Sequence, residues 1–132
     1  MSKSMRESRI DAIKVIYSCH MNDTDAAQVA PTVITDGDEL ALKYALETMK
    51  DIKAIDEIIS NALVGYTISR LNVVDRSIVE VATYEIKNDI VAPAIAINEA
   101  LEITKMYTDA GDKKEVKFNN KLLDNIRKYL GK

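Results

Sequence analysis

Few residues in this chain can do chemistry, and most of those that can are basic. Cys19 is the only cysteine and His20 the only histidine. A thiol beside an imidazole could serve as a nucleophile and its base, or as half of a zinc site. Helix neighbours project about 100° apart, so the two do not face each other, and no second Cys or His pair exists to close a tetrahedral site. The expectation is a buried Cys19 beside a boundary His20, with no metal and no cofactor. A lone cysteine forms no internal disulfide, which fits a reducing cytoplasm. The carboxylates follow helix patterns without a catalytic motif, so an enzyme is not expected.

The charges are unevenly spread. Residues 1–20 carry a net +2, residues 21–62 a net −6, residues 63–104 a net −3 and residues 105–132 a net +4, for −3 overall. Basic ends on an acidic body suggest a local anion-binding face. Single-stranded RNA is held by cations on its phosphates and flat side chains against its bases. Near the first end, Lys3, Arg6, Arg9 and Lys14 could meet phosphate and Tyr17 could stack; as the plainer alternative, these are solvated charges and a half-buried ring. Near the other end, Lys113 and Lys114 precede Lys117 and Lys121. Lys117, Lys121, Asp124 and Lys128 recur at i, i+4, i+7 and i+11, one stripe of a helix. Lys117 and Lys121 are the candidates there, because they open that helix beside the lysine loop, where free backbone N–H groups can also receive a phosphate. Phe118, with Leu122, Ile126 and Tyr129, lies on another face and reads either as core or as a second stacking ring.

The elements that must position these residues are helical. Only four Gly and two Pro punctuate the chain, and it has no Trp and one Phe, so the core must be aliphatic. A first helix is predicted from about Arg6 to His20, with Ala12, Ile13, Val15, Ile16 and Cys19 inward. Residues 26–35 are ambiguous: Ala26 to Ala30 suits a short helix ended by Pro31, and Thr32 to Thr35 is rich in β-branching. Asp36-Gly37-Asp38 is a break with Asp38 as N-cap. From Glu39 to Leu63 the period is helical, either as one long helix or as two with a kink near Lys50-Asp51. Gly65 marks a junction, and a short helix over Thr67–Leu71 follows. Further helices are predicted over Arg76–Lys87, Ile95–Tyr107 and Val116–Leu130. The result is an all-α fold of about seven helices over residues 1–132 as a single domain, with no strand and no internal repeat. The opening Met1-Ser2-Lys3-Ser4-Met5-Arg6 is polar, and no apolar run approaches the roughly 20 residues that span a bilayer. A cytoplasmic protein without membrane contact is therefore expected.

In the second half, short motifs follow one another in order. They are Ile68-Ser69-Arg70-Leu71, Val74-Asp75-Arg76, Ala82-Thr83-Tyr84-Glu85-Ile86, Pro93, Ile97-Asn98-Glu99-Ala100, Lys105-Met106-Tyr107 and Phe118-Asn119-Asn120-Lys121-Leu122-Leu123-Asp124. This ordered set resembles the NusB family of transcription antitermination factors, and Ile16-Tyr17 resembles the pair that closes the family's arginine-rich first helix. Asn119 and Lys121 stand where the family's last motif has Val and Gly. The resemblance implies two packed helical subdomains and binding of single-stranded boxA-type RNA. It also implies partnership with the ribosomal protein NusE, and through it with RNA polymerase in antitermination on ribosomal RNA. By the same resemblance, Arg9 and Tyr17 fall on the RNA-binding helix, and Phe118 occupies the family's F-x-N position at the RNA-side end. Asp75 and Arg76 fall on a charged pair facing NusE, and Asn120 on an asparagine that fixes the loop. Glu85, Asn98 and Glu99 are read as hydrogen-bonding groups between helices. The competing function is a protein-interaction adaptor that kept the helices without useful RNA contacts. An appendage of an RNA methyltransferase fails on length, since no methyl-donor site is present.

Overall fold

Residues 3–132 are described by a computed structural model and form seven α-helices with no strand among them. Met1 and Ser2, which begin the polar opening segment, lie outside the described residues. The helices are α1 (Met5–Asn22), α2 (Ala26–Val33), α3 (Glu39–Lys50), α4 (Ile52–Ala62), α5 (Val73–Lys87), α6 (Pro93–Tyr107) and α7 (Lys114–Tyr129). A single 3-10 turn, Ile68–Arg70, precedes α5. None of these helices is long and apolar enough to cross a membrane.

Local chemistry sets the boundaries. Ser4 and Glu7 form a capping box: the Ser4 hydroxyl accepts from the Glu7 N–H at 3.1 Å, and the Glu7 carboxylate accepts from the Ser4 N–H at 3.3 Å. The first helix therefore starts one residue before Arg6. Asp25 caps α2, Asp38 caps α3 and Asn72 caps α5 through their side-chain oxygens. The ambiguous segment resolves as helix beyond Pro31, to Val33. Proline leaves the Ala27 carbonyl without a donor, but both residues are exposed, where water can replace it. The long helical run is two helices, broken at Asp51 (φ −101°, ψ 15°). The Asn72 cap makes α5 begin three residues earlier than predicted, which places Asp75 and Arg76 inside its first turn.

Helices α1 to α3 pack together, as do α4 to α7, and α5 touches α1, α3, α4, α6 and α7. This central place explains why every residue from Ser77 to Ile86 is buried. A helix buried all round is normally apolar throughout, yet this one carries Glu80 and Glu85, at 0 % and 1 % exposure.

Each carboxylate has its own compensation. Arg9 of α1, itself 4 % exposed, pairs with Glu85 at 3.0 Å, and the Tyr44 hydroxyl of α3 donates to the same carboxylate at 2.8 Å. Burial first, then the adjacent Glu85 charge, pushes the Tyr44 hydroxyl well above the usual tyrosine range. The Tyr44 ring meets Tyr84 edge-on at 5.2 Å, fastening α3 to α5 again. Glu99, another of the motif residues, receives a bidentate contact from Arg6, with both bonds at 2.9 Å. Arg6→Met should leave stability nearly unchanged, because that pair is partly solvated. Arg9→Met should lower the unfolding free energy by about 3–5 kcal/mol in urea denaturation, because it strands a buried carboxylate. Equal losses in the two variants would contradict this account.

Candidate nucleic-acid interface

The candidate cations divide into those satisfied inside the protein and those that are not. Lys3 lies among three carboxylates, bonded to Asp11, to Asp38 at 2.9 Å and to Asp36 at 3.0 Å. Although burial works against its charge, these bonds raise its pKa above the usual lysine range. Arg6 is held by Glu99, and Arg9 is buried against Glu85. Arg9, expected to meet phosphate, is therefore corrected to a core ion-pair residue. A signal is present in the chain: Arg9 precedes Ala12, Ile13 and Ile16 by three, four and seven residues, which puts it on the apolar stripe.

Lys14 and Tyr17 stay on the outside of α1, and Tyr17 is 37 % exposed. They border an apolar cleft of about 200 Å³ between α1, α5 and α6, which Val74, Ile78, Ile103 and Tyr107 also line. Tyr107, 50 % exposed, adds a second ring to this cleft. Lys14 and Tyr107 also line an adjoining polar hollow with Lys3. The cleft thus offers two aromatic faces and a cation, the combination that holds an unstacked base beside its phosphate.

At the other end, Lys113, Lys114, Lys117 and Lys121 are all exposed. The turn before α7 is shaped by Asp109, whose Oδ1 accepts from the N–H of Gly111 at 3.3 Å and of Lys113 at 3.0 Å. This turn draws Lys113 into the left-handed region, φ 63°. Lys113 gives α7 no side-chain cap, but the Asp112 carboxylate accepts from the Lys114 N–H at 3.1 Å, and Asp109, Asp112 and Glu115 cluster at this helix start. Phe118 is partly buried against the core and meets Tyr66 edge-on at 5.4 Å. Tyr66 is exposed and escapes the sequence patterns; the visible cue is an aromatic placed directly after the junction glycine, Gly65.

The two ends are joined through the start of α5. Val74 lines the Tyr17 cleft, while the next residue, Asp75, accepts from Asn119 of α7 at 3.2 Å and from Thr108 at 2.8 Å. Asn119 also donates to Thr104 at 3.1 Å. The loop-fixing role expected of Asn120 therefore belongs to Asn119, which is 1 % exposed, while Asn120 faces solvent. Asp75 is likewise an internal tie, and burial raises its pKa against the pull of these two hydrogen bonds. Arg76 reaches Asp56 at 2.9 Å and Glu80 at 3.3 Å. Neither member of the pair expected at the partner surface is free of internal bonds.

Cys19 and His20 point to different neighbours. Cys19 is buried, and burial raises its thiol pKa, the reverse of what a nucleophile needs. His20 Nε2 lies 2.6 Å from Glu80 Oε1. Burial, then the charge of Arg76, lowers the imidazole's pKa. Burial, then the neighbouring Asp56 carboxylate, pushes Glu80 up to about 10. Both shifts favour the uncharged forms of the two groups.

The model of the NusB family matches residues 6–128. A Staphylococcus aureus protein named transcription antitermination protein NusB is 35% identical over 131 residues, spanning 95% of this chain and 99% of the relative. Its namesake from Pediococcus pentosaceus is 35% identical over 136 residues, 97% of this chain and 100% of the relative. Among solved structures, T. maritima NusB superposes with a TM-score of 0.82 at 30% identity, covering 97% of this chain and 93% of the other. A chain from the crystal structure of a plectonemic RNA supercoil has the same fold at 24% identity and a TM-score of 0.82, covering 93% of each chain.

The Glu80 site makes a pH prediction. A carboxyl whose pKa is raised on folding stabilises the fold below its ordinary pKa, and that stability is lost as pH rises toward about 10. Between about pH 6 and pH 9 the stability should fall by up to about 1.4 kcal/mol per pH unit. Glu80→Gln, which stays neutral, should flatten the profile in urea melts; an unchanged slope would show that Glu80 is ionised in the fold.

Proposed function

Because this chain belongs to the NusB family, we propose that it is a transcription antitermination factor that binds single-stranded boxA-type RNA together with the ribosomal protein NusE. Through that partner it acts on RNA polymerase in the cytoplasm, supporting processive transcription of ribosomal RNA. The observation that carries this reading is the junction at α5. There Val74 lines the Lys14–Tyr17–Tyr107 cleft, and Asp75 bonds Asn119, the neighbour in sequence of Phe118, which pairs with Tyr66.

In this reading three or four phosphates are met from among Lys14, Lys113, Lys114, Lys117 and Lys121, and Tyr17 and Phe118 stack bases. Lys3 and Arg6 act less directly: any phosphate they meet competes with the carboxylates that already hold them. Asp75 and Arg76 define the partner-facing start of α5, shaping it more than reaching from it.

The internal pairing of Lys3, Arg6 and Arg9 favours the second reading, an adaptor that binds protein alone. Anisotropy of a labelled boxA-type RNA, with and without the NusE-like ribosomal protein, separates the two. Binding should tighten with the partner, and three or four phosphate contacts give a log–log salt slope of roughly −2 to −3. Lys14→Ala and Lys117→Ala should each reduce that slope by about 0.7, and Tyr17→Ala should cost about 1–3 kcal/mol. RNA binding that is absent with the partner present, or indifferent to all three variants, would leave only the adaptor.

A further inference from the structure

One apolar surface has no part in RNA binding. Ala27 and Pro31 of α2, Ile34 just after it, and Leu42, Leu46 and Met49 of α3 line a continuous trough between these two helices. The part between Ile34 and Leu46 alone is a cavity of about 420 Å³. Leu42 and Leu46 keep 38 % and 37 % of their surface in water. Leu42, Leu46 and Met49 recur at i, i+4 and i+7, a single ridge along α3, and the two helices run in opposite directions beside it. Such a groove suits a third helix: α3 has 12 residues, giving a seat of about 18 Å, some three turns.

The rim indicates what the occupant carries. Asp23 and Asp25 stand at one end of the trough and Asp38 and Glu39 at the other, with Lys50 the one basic residue among those lining it. Asp38 is already answered by Lys3, but Asp23, Asp25 and Glu39 are exposed. They belong to the acidic stretch of the chain, residues 21–62 at net −6. Nucleic acid is repelled by such a rim, and a second copy of this chain would set the same acids against each other.

We propose that the α2–α3 trough is a docking site for an amphipathic helix of a partner protein, one whose apolar ridge is flanked by lysine and arginine. The apolar ridge enters between α2 and α3, and the basic flanks meet the acids at both ends. This contact is separate from RNA binding and does not depend on it.

The probe is a capped, labelled helical peptide of about 15 residues, with leucines at i, i+4, i+7 and i+11 and lysines beside them. Its control has glutamate in place of each lysine. Binding is read by anisotropy and located by amide chemical shifts on the full chain. The lysine peptide should saturate, with shifts confined to residues 26–34 and 39–50, and bind about tenfold or more tightly than the glutamate peptide. Leu42→Lys with Leu46→Lys should abolish binding without changing the thermal midpoint by more than a few degrees, since both side chains are surface groups. Asp23→Asn with Glu39→Gln should weaken binding severalfold; asparagine tolerates the left-handed backbone at position 23. Equal binding of both peptides, shifts on another face, or no binding at all would overturn the proposal. So would self-association at rising concentration that the leucine variant removes, because the trough would then be covered by a second copy.

Discussion

The arrangement of this protein depends on how α5 carries two carboxylates through its centre. Burying an unpaired carboxylate is prohibitive, so each must be paired or keep its proton. Arg9 and Tyr44 do this for Glu85, tying α1 and α3 to α5 at one point. Glu80 meets His20 of α1 at 2.6 Å and Arg76 of its own helix at 3.3 Å, and burial raises its pKa. These contacts set both the position and the rotation of α1. With Arg9, Ile13 and Ile16 turned inward, Lys14 and Tyr17 have no place except the surface beside α6.

The same helix organises the opposite end of the chain. Asp75, in its first turn, holds Thr108 of the segment after α6 and Asn119 of α7. The start of α5, the segment after α6 and α7 are therefore tied together at Asp75. Positive charge within the protein is divided unevenly as a result. Three of the five arginines, Arg6, Arg9 and Arg76, use their planar guanidinium groups in the interior and at its margins. The lysines exposed near the aromatic rings carry a compact charge that suits phosphate without fixed geometry, and Arg70 is exposed as well. Net charge is thus a poor guide to which cations face solvent, because it counts Arg9 and Lys14 alike.

The helices themselves are legible in the chain, with the cap at Asp38 and a break at Lys50-Asp51 as one of two readings, because capping and periodicity are local. The family resemblance is legible too, since it rests on ordered motifs between Ile68 and Asp124. Glu85 and Glu99 are recognisable as links between helices, although nothing nearby in the chain names their partners. Pro31 misleads, because a break inferred from proline assumes that its lost hydrogen bond matters, and at an exposed position it matters little.

Basic ends and the aromatic at position 17 are therefore properties of the sequence, and by themselves they point to RNA. Which cations remain available is decided only by the tertiary structure. Arg9 and Lys14 are five residues apart on one helix, yet one is sealed against Glu85, 76 positions away, and the other faces water. The acidic trough over α2 and α3 is equally invisible in the sequence, since it forms only when two separate apolar stripes are laid side by side. Local physics writes the helices into the chain, whereas availability for binding depends on partners distant in sequence, which no local pattern contains.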